Sequence, residues 1–109
     1  MENQDFPKAS VMNLADMVSY QTGAIVSRTI IKKPQGNLSL FAFDKGESLS
    51  EHTAPFDAMI QVLDGTAEVI IDGVSYSVNE GKTIIMPANI PHAVVANEQF
   101  KMLLTMIKA

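Results

Sequence analysis

Two residues in this chain have side chains suited to chemistry near neutral pH, His52 and His92, forty positions apart. Imidazole titrates in that range and binds metal ions through either ring nitrogen. His52 lies in the stretch Gly46-Glu-Ser-Leu-Ser-Glu-His52-Thr-Ala-Pro-Phe-Asp-Ala-Met-Ile-Gln-Val-Leu-Asp-Gly65, and His92 closes Pro87-Ala-Asn-Ile-Pro-His92. Two imidazoles brought together can hold a metal, orient an organic molecule as hydrogen-bonding groups, or serve only as satisfied parts of a core. A catalytic zinc keeps three protein ligands and a water, and the facial triad of non-haem iron takes two histidines and a carboxylate. A histidine pair is one donor short of either. Asp57 is the candidate for a third donor, because Pro55 can force a bulge that upsets alternation. Glu51 is nearer in sequence but faces away from His52 by strand parity.

Composition removes other chemistries. There is no cysteine, so thiolate catalysis, thiolate ligation and disulfides are excluded. The net charge of −4 and the lack of any basic run beyond Lys32-Lys33 argue against nucleic acid as a partner. No apolar run is long enough to cross a membrane, and the first nine residues are polar and acidic, which gives a cytoplasmic location as the expectation. No glycine-rich phosphate loop opens a helix, and Ser50 has no nucleophile elbow around it. Seven methionines are present. Copper(I) takes thioether and imidazole ligands, but methionines scattered among strands read more simply as adaptable core filling. At 109 residues, 47% of them apolar, the chain makes one domain whose apolar excess favours a homodimer.

The elements that must position the histidines are short strands. Residues 1–10 read as a loose, flexible arm and 11–109 as a single domain. Leu14, Met17 and Val18 are spaced helically behind a cap at Asn13, which predicts a short helix over 11–20 that ends by Gly23. Residues 24–31 are β-branched and continuous, and 32–37 are turn chemistry. Residues 38–43 form a strand that is apolar on both faces. Gly65, Gly73 and Gly81 recur every eight residues, each behind an acidic residue, the punctuation of an antiparallel meander. Strands over 83–86 and 92–96 follow. The apolar stretch 100–107 is a last strand, packing across the sheet or into a dimer interface.

Both histidine stretches resemble the two motifs of the cupins, small jelly-roll barrels. The first cupin motif runs G-x5-H-x-H-x3-E-x6-G, and Gly46, His52 and Gly65 stand at its spacing. The second runs G-x5-P-x-G-x2-H-x3-N, and Gly81, Pro87 and His92 match, with Asn89 in the place of the glycine and Ala96 in that of the asparagine. The resemblance implies an all-β, double-stranded β-helix (jelly-roll) fold behind the short N-terminal helix. It also implies a divalent metal (Zn, Fe, Ni or Mn) held by three histidines and a glutamate. Of those four positions this chain keeps His52 and His92, while Ala54 and Ala58 replace the second histidine and the glutamate.

Two alanines beside His52 leave a wider, more apolar cavity. Strand parity lines it with Ile60, Val62, Val69, Ile85 and Val94, and turns Tyr76 inward as well. The leading expectation is a small organic molecule held in the barrel, with His52, His92, Ala54, Ala58, Ile60 and Tyr76 around it. The alternative is a metal-dependent enzyme of dioxygenase, decarboxylase or sugar isomerase/epimerase type using His52 and His92. A third option is an accessory subunit or sensor.

Overall fold

The computed structural model describes residues 6–108. Nine strands follow one short 3-10 turn at Leu14–Asp16: β1 Ile25–Lys33, β2 Gly36–Phe43, β3 Ser48–His52, β4 Phe56–Asp64, β5 Thr66–Ile71, β6 Val74–Asn79, β7 Thr83–Met86, β8 His92–Val95 and β9 Phe100–Lys108. They form two antiparallel sheets, ordered β1-β2-β9-β4-β7 and β3-β8-β5-β6. Each sheet takes strands from both halves of the chain, the interleaving of a jelly roll, and the all-β expectation holds.

Alternation builds the core. On β4, Ala58, Ile60 and Val62 point between the sheets, and on β9 so do Phe100, Met102 and Leu104, all of them buried. Sheet β3-β8-β5-β6 answers with Val69, Val78 and Val94, joined by Ala96 just past β8. The apolar stretch 100–107 packs across the sheet, the first of its two expected places. As β9 it sits in the middle of its sheet, between β2 and β4. β2 is buried on both faces, as its composition predicts: Phe43 enters the barrel core while Leu40 and Ala42 turn outward into a second cluster.

That second cluster explains why the predicted helix is reduced to one turn. Phe6, Met12, Leu14, Met17, Val18 and Tyr20 lie over the outer face of the five-stranded sheet. Asn13 caps the turn as expected, its side-chain oxygen accepting the Ala15 N–H at 3.2 Å. A longer helix would need the carbonyls of Ala15 and Met17 for its own ladder. Lys101 Nζ donates to the first and Arg28 Nη1 to the second, each at 2.6 Å. Charged donors compete well for a carbonyl, and the segment is held as a strap. Phe6 is buried in the same patch with the Arg28 guanidinium 4.3 Å above its ring, so this part of the expected loose arm has something to bury. Residues 1–5 lie outside the described residues.

Candidate functional site

The two histidines meet on one sheet. β3 and β8 pair so that His52 stands directly opposite His92, and the rings lie edge to face with centroids 4.4 Å apart. The register that achieves this is irregular. Leu49 faces Val94, and the next pair is His52 with His92, three residues along on β3 against two on β8. One extra residue in β3 makes a bulge, and a bulge re-aims the side chains beyond it. Without it, parity from Leu49 would turn Glu51 to the barrel interior. The sequence pointed to Pro55 as the place for a bulge; the structure puts one just before His52.

Backbone carbonyls place a hydrogen on Nδ1 of both rings. His52 Nδ1 is 2.8 Å from the Ser50 oxygen, and His92 Nδ1 is 3.1 Å from the Ile90 oxygen. A carbonyl oxygen only accepts, so each Nδ1 carries the hydrogen. A neutral ring then keeps a lone pair at Nε2, the same arrangement that prepares a histidine to bind a metal. Neither Nε2 makes a hydrogen bond among the described residues. His92 is 6% exposed, whereas His52 stands at the rim.

The loops on either side are tied together. The Asn89 N–H donates to the Ala54 carbonyl at 2.8 Å, and Asn89 takes a φ of 65°. This left-handed conformation is why the cupin motif has glycine there, and asparagine is among the few other residues that adopt it readily.

Both imidazoles line a cavity with Leu49, Ala54, Ala58, Ile60, Met86, Val94, Met102, Leu104 and Met106. Its volume is about 50 Å³, room for an ion or a few waters. Pockets that enclose drug-sized organic ligands start at about 300 Å³. Two larger grooves of about 360 Å³ lie on the outside. One runs between Phe6, Lys8 and residues 30–33, the other around Glu68, Ser75 and Asn97. In the second, hydrogen bonds from Ser75 at 2.6 Å and Asn97 at 2.9 Å lower the Glu68 pKa. That ties the carboxylate into a surface network.

Of the predicted lining, Ala54, Ala58, Ile60 and Val94 are at the cavity, while Val62 and Val69 belong to the core away from it. Ile85 points outward from β7 and is 63% exposed; Ile84 and Met86 are the inward pair. Tyr76 stands opposite Val69 on β6 and so shares its face, but β6 is an edge strand and the ring is 43% exposed, away from the histidines. Asp57 is exposed and accepts the Ala88 N–H at 3.0 Å, so its carboxylate braces a loop outside the cavity. The methionines of the lining, Met86, Met102 and Met106, read in the sequence as core filling, and Leu49 and Leu104 carry no sign of the cavity there. Counting alternate residues along β7 and β9 from a correctly phased neighbour would have found Met86, Met102, Leu104 and Met106.

Comparison with known proteins agrees with this geometry. The cupin domain profile matches residues 39–108. The chain belongs to the cupins. A conserved protein of unknown function from Streptococcus pyogenes is 39% identical, with a TM-score of 0.92 over 100% of this chain and 96% of that one. A cupin 2 conserved barrel domain protein from Leptotrichia buccalis is 47% identical with a TM-score of 0.86, over 89% of this chain but only 47% of that one. A cupin superfamily protein from Desulfitobacterium hafniense, 24% identical, covers both chains fully with a TM-score of 0.91. No curated protein matches the sequence.

Cupins often hold a divalent metal, and the residues here do not fit one. Among the described residues there is no group of three or more His, Asp or Glu that could hold an ion. The other two ligand positions carry methyl groups, and Asp57 is turned away. No helix among these residues is long and apolar enough to cross a membrane.

Proposed function

We propose that this cupin is a binding protein rather than a divalent-metal enzyme. Its ligand is a small organic molecule that enters the barrel beside Ala54 and Ala58 and donates a hydrogen bond to Nε2 of His52 or His92. What carries the reading is the pair of imidazoles with Nδ1 committed to backbone carbonyls and Nε2 unused, at the wall of an otherwise apolar cavity. A few placed polar groups in an apolar site is the usual construction of a small-ligand pocket. The cavity is small, so the guest must be small or must displace methionine side chains, which rearrange at little cost. The dioxygenase, decarboxylase and isomerase readings each lack the third protein ligand.

The test is a fragment screen followed by NMR of the histidine ring nitrogens. Small alcohols and phenols are expected to shift Nε2 of both rings, and His92→Ala to abolish the response. Stoichiometric Zn, Fe, Ni or Mn in the purified protein, lost in His52→Ala and His92→Ala, would overturn the proposal. A homodimer also belongs to this reading, supported by Val74, Tyr76 and Ile85, large apolar side chains exposed on edge strands β6 and β7. Sedimentation should then give twice the 11.8 kDa chain mass.

A further inference from the structure

Opposite the two imidazoles, the five-stranded sheet presents sulfur. β7 and β9 flank β4, and Met86 and Met106 both stand directly opposite Ala58. Residues paired in this way share a face of the sheet. Met106, Ala58 and Met86 thus make one row across three strands, and all three line the cavity with His52 and His92. Ala58 ends in a methyl group, so the middle of the row is a hollow with a thioether on each side. Packed sheets lie about 10 Å apart, a gap that an imidazole from one side and an extended methionine from the other largely span. Met102 also lines the cavity but stands four positions from Met106 along β9, about 13 Å deeper in the barrel at the usual rise per residue.

We propose that this pocket binds copper(I), with Nε2 of His52 and His92 as nitrogen ligands and Sδ of Met86 and Met106 as sulfur ligands. The proposal rests on the reading of the two imidazoles as the polar contacts of the pocket, and adds a ligand which that reading lacks. Softness is the first reason. Thioethers favour Cu(I), while Mg, Ca and Mn prefer oxygen donors. Charge is the second. All four donors are neutral, and Asp57 gives its carboxylate to the Ala88 N–H instead. An unpaired ion is costly in an apolar site, and the cost grows with the square of its charge, so a monovalent guest is the less expensive one. Size is the third, since about 50 Å³ is room enough for an ion. Protonation adds to these: with Nδ1 holding the hydrogen on each ring, a neutral imidazole has Nε2 ready to bind without releasing a proton.

The experiment is an anaerobic titration against Cu(I) held by the chromophoric chelator bicinchoninate, with X-ray absorption at the copper edge. The expected result is transfer of one copper per chain and a spectrum containing both nitrogen and sulfur neighbours. Met86→Leu with Met106→Leu conserves volume and apolarity, so the fold should survive. It should weaken Cu(I) binding by roughly a hundredfold or more, since losing outer-shell partners alone costs about 10- to 100-fold. The paired control, Met12→Leu with Met59→Leu, should change nothing. No transfer from the chelator, equal affinity in the Met86/Met106 variant, or a spectrum without sulfur would each sink the proposal. Fragment binding to the imidazoles is measured on the same Met86/Met106 variant. Retained fragment response with lost copper supports both readings, whereas sulfur-ligated copper with no fragment response leaves the copper site standing and removes the organic ligand.

Discussion

The two ends of the barrel are made differently. The inward row of β9 runs Phe100, Met102, Leu104, Met106 from one end to the other. At the first end Phe100 stacks on Phe43, centroids 4.5 Å apart and planes 14° from parallel, both fully buried. At the other end Ala54 and Ala58 leave a cavity, and imidazoles and thioethers look into it. Aromatic packing stabilises strongly but offers no donor. Small residues give up packing and leave room for a guest. If the open end binds the ligands proposed for it, stability and binding occupy separate ends of one core and should fail separately.

Phe100→Ala is the largest expected blow to the packed end. It removes a fully buried ring and its stacking partner's support, which should cost about 3 to 5 kcal/mol in urea unfolding. Where the variant still folds, affinity at the open end should be unchanged. A matching loss of ligand or copper binding would show that the two ends are not independent. Gly65→Ala comes next. Gly65 has φ of 77°, and an added Cβ would lie 2.5 Å from the Gln99 carbonyl oxygen and 3.1 Å from Phe100 Cβ. The backbone beside the stacked ring would have to shift, at about 1 to 3 kcal/mol. A neutral result would mean the packed end is looser than its contacts suggest.

Much of this architecture is legible in the sequence. The glycines at positions 65, 73 and 81 gave the meander because tight turns need φ values that other residues resist. His52 and His92 were paired through their spacing from Gly46, Gly65, Gly81 and Pro87. What stayed hidden depended on phase or on partners far away in sequence. Thr83-Ile-Ile-Met86 is apolar but for Thr83, so the strand's phase is weakly marked and Ile85 reads inward where the structure turns it outward. The helix was lost to Arg28 and Lys101, which take two of its carbonyls from other strands. No local pattern reveals such competition. Likewise, Met86 and Met106 are twenty residues apart and come to flank Ala58 only because both β7 and β9 pair with β4.

The outer strap sharpens the comparison through pH. Tyr20 Oη donates to Asp64 at 2.5 Å, beside the packed end, and the phenol pKa is raised well above its ordinary value of 10.0 by burial first, then by that hydrogen bond and the charges of Asp64 and Glu80. A raised pKa means the folded state holds the proton more tightly than the unfolded chain. The resulting stability is fully present below the unfolded value and declines as pH rises above it towards the folded one. Thermal unfolding should therefore show a falling limb from about pH 10 upward. Tyr20→Phe should flatten that limb and leave copper binding at neutral pH untouched. A limb of unchanged slope would detach the strap from the stability of the packed end.

The smallest expected effect on stability comes at the open end, and it separates the two histidines. His52 is exposed and its one side-chain hydrogen bond among the described residues is to Ser50, two residues away, so His52→Ala should change stability by within about 0.5 kcal/mol. His92 is buried and its Nδ1–H satisfies the Ile90 carbonyl in the loop that Asn89 ties to Ala54. Losing a buried partner costs about 1 to 3 kcal/mol, so His92→Ala should be measurably less stable. Binding should fall in both, because both rings line the cavity. If His52→Ala proved as destabilising as His92→Ala, the rim ring would be structural, and the line between an end that holds the fold and an end that holds a ligand would disappear.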